Sequence, residues 1–463
     1  MAEPLWTSDE IGAATGGRVV AGPFAVSGVS IDSRSVEPGD LFVALAGARD
    51  GHEFAAGALA SGAAAVLARK PVQGPHVLVE DTLGALEKLG VAARDRSPAR
   101  RAAITGSVGK TSVTQAVAAG LALAGRWHSS VKSYNNHIGV PLTLARMPRD
   151  TERAVFEIGM NHADEIGPLS RFVQPDVVAI TTVGPVHIEN FPNGERGVAL
   201  AKAEIFQGLK PGGVAVLNAD NVWFDLLREE AGKVGARVRS FGTGEDADAR
   251  LLAFEPADGR VRVRALVDGE TLSFPLRQTG LHWGLNSLCV LLTLEAMDVS
   301  RDTALAALEG FAPLAGRGAE KTVAIPGGVF TLIDESYNAN PISMEAAFRT
   351  LGARAAPGRR IVALTDMLEL GEQAPSFHAG LAAPIEAADV DLVFAAGPMM
   401  KSLWDALPPT RRGGYAETAA QLAPLVASAV EPGDLVMVKG SNGSRAGVIA
   451  AALAALDHAG DKA

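Results

Sequence analysis

Short apolar runs alternate along this chain with longer stretches of helical spacing. Val29-Ser30-Ile31 and Leu41-Phe42-Val43-Ala44-Leu45 read as strands around the turn Glu37-Pro38-Gly39-Asp40. The alanine-rich run 53–67 reads as a helix that passes through Gly62 into the strand Ala65-Val66-Leu67. Further apolar runs at 102–104, 154–158, 177–181 and 214–217 are separated by helical patterns, which predicts a mostly parallel sheet. The stretch 237–274 differs. Arg260-Val261-Arg262-Val263-Arg264-Ala265-Leu266 alternates with period two, so antiparallel strands are expected there. Strands return at 329–333, 361–364, 392–395 and 435–438, with helical runs between them.

Two polar or glycine-rich breaks divide the pattern, at 94–101 and at 313–318. They predict an α/β protein of three domains: 1–98, 99–314 and 315–463. The length of 463 residues agrees, at roughly 100–200 residues per domain. With 48% hydrophobic and 20% charged residues there is material for packed cores. A net charge of −10 excludes a general nucleic-acid binder, which needs a basic face. An anionic ligand must then be held by loops, metals and single Lys or Arg residues. The single cysteine, Cys289, lies in an apolar run and reads as a buried small hydrophobe. The first residues lack a basic and apolar leader, and Thr7 and Glu10 are spaced as a helix capping box. No apolar stretch reaches the roughly 20 residues of a membrane span. A cytoplasmic enzyme is expected, with no membrane insertion.

The chemistry begins at Thr105-Gly106-Ser107-Val108-Gly109-Lys110-Thr111, between a strand and the helical pattern 112–124. A helix N-terminus offers unpaired N–H groups and partial positive charge, which suits phosphate. Gly106 and Gly109 let the backbone approach closely, and Ser107, Val108 and Ser112 complete the nucleotide-binding loop. Lys110 is placed to reach the terminal phosphates and Thr111 to offer a hydroxyl to magnesium. The spacing departs from GxxxxGK[ST], because Ile104 stands where the first Gly would be.

Glu157 ends an apolar strand and His187 follows another. Either alone would be an ordinary polar residue at a strand end. Together, behind a phosphate loop, they read as a metal-binding pair. Lys202 lies in the predicted helix 195–209 with Val198, Ile205 and Phe206 as helical neighbours, so it falls on the apolar face. Two readings follow. The lysine snorkels to solvent, which the pattern alone slightly favours, or it is buried, neutral and able to form a carbamate with carbon dioxide. Lys210, at the helix end, complements the dipole. The polar run Asp334-Glu335-Ser336-Tyr337-Asn338-Ala339-Asn340-Pro341 after a strand is typical of a binding loop. Residues 30–34 with Gly51-His52 read equally as turns or as a second polar-ligand site.

These motifs, together with Ser133-Tyr134-Asn135-Asn136-His137-Ile138-Gly139-Val140-Pro141-Leu142 and Glu157-Ile158-Gly159-Met160-Asn161-His162, resemble the Mur ligases. The branch they are most similar to adds D-alanyl-D-alanine to a UDP-N-acetylmuramoyl-tripeptide. The resemblance runs from Asp32-Ser33-Arg34 to Lys439-Gly440-Ser441. It implies a small N-terminal α/β domain for the UDP-sugar, a central P-loop parallel-sheet domain for ATP, and a C-terminal Rossmann-like domain. It also implies a monomer, and ATP acting with magnesium, two ions in all. ATP phosphorylates the tripeptide carboxylate, and the dipeptide amine attacks the acyl phosphate. By the same resemblance Lys110, Glu157, His187 and Lys202 are catalytic. Thr111, Glu157, His187 and a carbamylated Lys202 hold metal. Asn286 and Arg317 contact nucleotide, and Asp334 the ribose. Ser30, Asp32, Ser33, Arg34, Asn135 and Asn136 serve the sugar-nucleotide side, while Tyr337, Asn338 and Asn340 lie near the junction of nucleotide and dipeptide. The likeness to the family reverses the slight preference for a snorkelling Lys202.

Three positions depart from the family pattern. Trp283 follows His282 where Asn is common, Asn442 replaces a common Arg with Arg445 close behind, and Thr365 precedes Asp366 where Gly is usual. A sister ligase adding the third stem residue would carry Asp-Asn-Pro-Arg, and a signalling GTPase would carry Asn-Lys-x-Asp. Neither motif is present. Folylpolyglutamate synthase is the other sister reading. A non-catalytic scaffold is disfavoured by the intact Lys110, Glu157, His187 and Lys202.

Overall fold

Three large sheets follow one another along the chain in the computed structural model, which describes residues 3–47, 49–131, 133–257 and 260–458. The first has five strands in the order Arg18–Val20, His76–Leu78, Ala65–Ala68, Asp40–Val43, Gly28–Ser30. All pairs are parallel except at the Arg18–Val20 edge. The helix expected over 53–67 is shorter: a 3-10 turn at Gly51–Phe54 leads into Ala55–Ala60, which ends before the glycine at 62.

Helix Thr82–Arg96 starts at Asp81, whose carboxylate accepts from the Leu83 and Gly84 amides. Its apolar face does not stop at the first sheet. Leu86 and Leu89 share one core with Leu142 and Ala145 of helix Gly139–Ala145, which belongs to the second sheet's unit. Trp6 Nε1 donates to Ala145 O at 2.8 Å, and the Arg96 guanidinium lies 3.4 Å from the Trp6 ring centroid. Arg146 Nε donates to Val29 O at 2.6 Å.

The second sheet has nine strands. Their order is Glu270–Leu276, Arg260–Val267, Ala249–Ala257, Arg237–Gly242, Val214–Asn218, Val177–Ile180, Arg100–Thr105, Arg153–Glu157, Trp127–Ser129. Its middle strands are buried on both faces, which is why they read as unbroken apolar runs. Helices Lys110–Ala124 and Trp283–Ala296 cover one face, and Ile166–Val173 and Gly194–Ala203 the other. The expectation for 237–274 is corrected in part. Arg237–Gly242 runs parallel to Val214–Asn218, because helix Phe224–Lys233 connects them as a crossover, and Ala249–Ala257 enters parallel beside it. Only the last pairings are antiparallel, where Val261, Val263, Ala265 and Val267 point inward between exposed arginines.

The third sheet has six strands in the order Ala319–Ile325, Gly328–Glu335, Leu435–Lys439, Arg360–Thr365, Leu392–Ala396, Arg412–Ala416. Only the Ala319–Ile325 hairpin is antiparallel. Apolar clusters pack on both faces, giving the doubly wound, Rossmann-like arrangement. No helix among the described residues is long and apolar enough to cross a membrane. Cys289 is fully buried, and burial pushes its thiol up to about 12.

Candidate active site

The strand Arg100–Thr105 ends in a loop that is moulded onto the end of its neighbour, Val177–Ile180. Ser107 N donates to Thr182 O at 2.8 Å, and its hydroxyl donates to Gly184 O at 3.0 Å. Thr181 Oγ1 donates to Val108 O at 2.5 Å. Gly106 is required at its position. Its φ is +153°, and a Cβ there would lie 1.9 Å from Thr181 Oγ1. Helix Lys110–Ala124 begins directly after Gly109, so its first amides face the loop. Lys110 Nζ donates to Gly106 O at 2.7 Å and so crosses the loop's mouth. Burial lowers the Lys110 pKa; Glu157 raises it and Arg317 lowers it further.

Glu157 is only 1% exposed. Its Oε1 accepts from Asn135 Nδ2 at 2.7 Å, while its Oε2 is buried with no partner. His187 sits in the turn after the next strand with φ 57°. Burial, then the positive charges of Lys110 and Lys202, lower its pKa to about 4, so the imidazole is neutral at neutral pH. Lys202 is 3% exposed, which rules out snorkelling. Burial and then Lys110 push its pKa well below the usual lysine range. The predicted helix around it is shorter than expected: Gly194–Ala203 tightens into a 3-10 segment, Glu204–Gly208, two residues after Lys202. Lys210 lies beyond it and pairs with Asp176 at 3.1 Å rather than serving a helix end.

Lys110 therefore feels the charge of Glu157, and His187 and Lys202 both feel that of Lys110. No three His, Cys, Asp or Glu residues form a metal cluster among the described residues. Glu157 and His187 supply only two ligands of that kind. A cation held here needs its remaining ligands from phosphate, from Thr111, or from a lysine converted to an anion. The orphaned Glu157 Oε2 fits such a cation.

A cavity of about 390 Å³ opens between the second and third sheets. Gly109, Asn286 and Trp283 line it from one side, and Asn338, Asn340 and Lys439 from the other. Trp283 stacks obliquely on Phe311, with centroids 5.6 Å apart. Arg317 bridges the two sides. It donates to Thr111 Oγ1 at 3.0 Å and lies 4.0 Å from the Tyr337 ring centroid. The Tyr337 hydroxyl is 3.0 Å from Ser133 Oγ, which is 3.4 Å from Thr111 Oγ1. Asp334 does not line the cavity. Its carboxylate accepts from the Gly316 and Ser336 amides and fixes the turn that carries Arg317. Asn340 Oδ1 caps helix Pro341–Gly352, while its Nδ2 is buried without a partner.

The remaining candidates lie away from this cavity. Ser30 is buried and its hydroxyl donates to Asp32 O at 3.2 Å. Asp32 caps the turn Ser33–Ser35 and holds Arg34 Nε at 2.9 Å. Asp50 holds His52 Nδ1 at 2.6 Å and Lys70 Nζ at 2.9 Å. Asn136 Oδ1 accepts from the Ile138 and Gly139 amides at the start of helix Gly139–Ala145. Ser133 and Lys439 entered the sequence reading only within longer motifs and were given no role; the 2%-exposed Lys439 contacts Glu335 Oε2 at 3.3 Å and Asn338 O at 3.2 Å. Lys439 follows an apolar strand, a signal that points to the cavity; Ser133 carries no such signal.

Comparison with known proteins gives one family along most of the chain. Residues 25–120 match the Mur ligase family catalytic domain, 104–294 the Mur ligase middle domain, and 322–442 the Mur ligase glutamate ligase domain. The chain is 30% identical to UDP-N-acetylmuramoyl-tripeptide–D-alanyl-D-alanine ligase of Rickettsia prowazekii, over 95% of this chain and 97% of that one. It is 33% identical to the Escherichia coli enzyme of the same name, over 82% and 83%. A crystal structure of MurF from Acinetobacter baumannii superposes with a TM-score of 0.85 at 27% identity, over 98% of this chain and 99% of that one.

Proposed function

The chain belongs to the Mur ligase family, and we infer from this that it is the ATP-dependent, ADP-forming ligase that joins D-alanyl-D-alanine to UDP-N-acetylmuramoyl-tripeptide in peptidoglycan synthesis. The observation that carries the reading is the convergence of Lys110, Glu157, His187 and Lys202 behind a phosphate loop, beside a cavity shared by two sheets.

A carboxylate is a poor acyl donor until one of its oxygens becomes a leaving group. Transfer of the ATP γ-phosphoryl group to the tripeptide carboxylate supplies that leaving group. The dipeptide amine then forms the C–N bond, and phosphate leaves with the C–O bond electrons. The protein's task is positioning and charge neutralisation. The amides from Gly106 to Ser112 hold the phosphates. Lys110 exchanges its bond to Gly106 O for phosphate oxygens. Asn286 and Arg317 approach the nucleotide from either side of the cavity, and Asp334 serves the ribose side by fixing the turn that carries Arg317. Asn135, Asn136 and the Ser30–Arg34 turn serve the sugar nucleotide. Tyr337, Asn338 and Asn340 face the junction with the dipeptide.

Thr111, Glu157 and His187 are the residues to hold magnesium, which when bound supplies charge neutralisation on the transferring phosphoryl group. Lys202 completes the set as a carbamate. Its buried, neutral Nζ bonds to the carbon of carbon dioxide and loses a proton, leaving one negative charge where a lysine stood. We assign 1–98 to the UDP-sugar domain, 99–314 to the ATP domain and 315–463 to the ligase domain, in a cytoplasmic monomer. ADP release, measured with the UDP-sugar tripeptide, should require D-alanyl-D-alanine. Turnover without the dipeptide, or none with it, overturns the assignment.

A further inference from the structure

The third sheet places a carboxylate against His187. The loop after strand Arg360–Thr365 turns back toward the second sheet, pinned where the Leu368 amide donates to Ser441 Oγ at 3.0 Å. Glu369 follows at once, and its Oε2 lies 2.9 Å from His187 Nδ1. That contact falls outside hydrogen-bond geometry, so Nδ1 is buried with its bond uncompleted.

The backbone on both sides is arranged for this meeting. His187 has φ 57° and Glu369 has φ 63°, a left-handed conformation that non-glycine residues seldom adopt. Two residues on, Gly371 at φ +57° comes so close to the turn Ile188–Asn190 that a Cβ there would lie 2.8 Å from Glu189 Cβ. Nothing bulkier than glycine lets the loop approach this near.

We propose that Glu369 is a positioning residue for His187, delivered by the C-terminal domain. A metal-bound histidine commonly donates its second ring N–H to a carboxylate, which fixes the ring and raises its basicity. Here Nδ1 faces Glu369, which leaves Nε2 for the cation. The carboxylate belongs to a different sheet from the histidine, so the ring is held only while that sheet is docked. This inference rests on the reading of His187 as a metal ligand.

The test is Mn2+ affinity of the full-length protein with ADP, read by electron paramagnetic resonance, alongside the melting temperature. Glu369→Gln and Glu369→Ala should weaken Mn2+ binding by about 10-fold without lowering the melting temperature, at the low end for lost second ligand contacts. His187→Ala should weaken it more, and adding Glu369→Ala to it should change nothing further. If His187→Ala weakens binding while the Glu369 variants do not, or if the two effects simply add, the positioning role is wrong and the ligand role of His187 stands. If His187→Ala leaves Mn2+ affinity unchanged, both fall.

Discussion

Arg317 donates a hydrogen bond to the hydroxyl of Thr111, across 206 positions of sequence and between two sheets, at 3.0 Å. Thr111 stands in the first turn of helix Lys110–Ala124, while Arg317 sits in the turn that leads to the third sheet. The same guanidinium covers Tyr337, so one side chain reports on the loop and on the Tyr337 loop together.

Arg317→Ala should therefore lower kcat/KM for ATP by about 10- to 100-fold, the equivalent of one charged hydrogen bond. Arg317→Lys keeps the charge but loses the planar stack, and should recover only part of the loss. Steady-state kinetics with varied ATP decides this, and an unchanged kcat/KM refutes it.

Lys202→Ala should lose most activity, and small carboxylates added to the assay should restore part of it by standing in for the carbamate. The wild-type enzyme should lose activity in buffer stripped of carbon dioxide, more so as pH falls, because the reactive species is the neutral amine. A carbamate carbon should appear by NMR after exposure to 13C-labelled carbon dioxide. Full activity in Lys202→Ala ends the idea.

Acid stability should bear the mark of His128. Burial lowers its pKa to about 4, against a bond from Nε2 to Thr143 O at 2.7 Å that works the other way. The folded pKa lies below the unfolded value near 6.5. The stabilisation is thus complete above pH 6.5 and is lost as pH falls toward 4, where the unfolded chain takes the proton first. The loss is on the order of 3 kcal/mol over that window. Urea unfolding of His128→Gln should show a flatter pH dependence between those limits.

Gly106→Ala should abolish nucleotide binding, because the new methyl group meets Thr181 Oγ1 and the backbone is strained as well. Fluorescent-ATP titration should show at least a 100-fold weaker Kd, as for other core strain of a few kcal/mol. Thr181→Ala in the same chain relieves only the clash, and should not restore binding fully.

The strand–loop–helix order over 100–124, the strand-end positions of Glu157 and His187, and the three-sheet plan were legible because each depends on local order: an apolar strand, then a polar or glycine turn. The buried state of Lys202 was ambiguous in the pattern, since helical spacing gives the face but not what covers it. The parallel setting of Arg237–Gly242 was missed because its direction comes from the crossover helix before it. Glu369 was not singled out, and Ser133 only as part of a longer motif, for a different reason: each meets a partner brought from another part of the chain. Asn340 shows the converse. One half of its amide begins a helix and the other half is left unpaired beside the cavity, a division of labour that residue identity alone does not reveal.

The bond from Trp6 to Ala145, set in a core that holds Leu86, Leu89 and Leu142 together, makes the first two sheets a single block for unfolding. Dissection at residue 98 would strip apolar surface from both halves, so neither fragment should behave as a module. Scanning calorimetry should accordingly resolve two cooperative transitions from three sheets. Exchange of parts at the second break, around residues 313–318, would by contrast leave this shared core uncut.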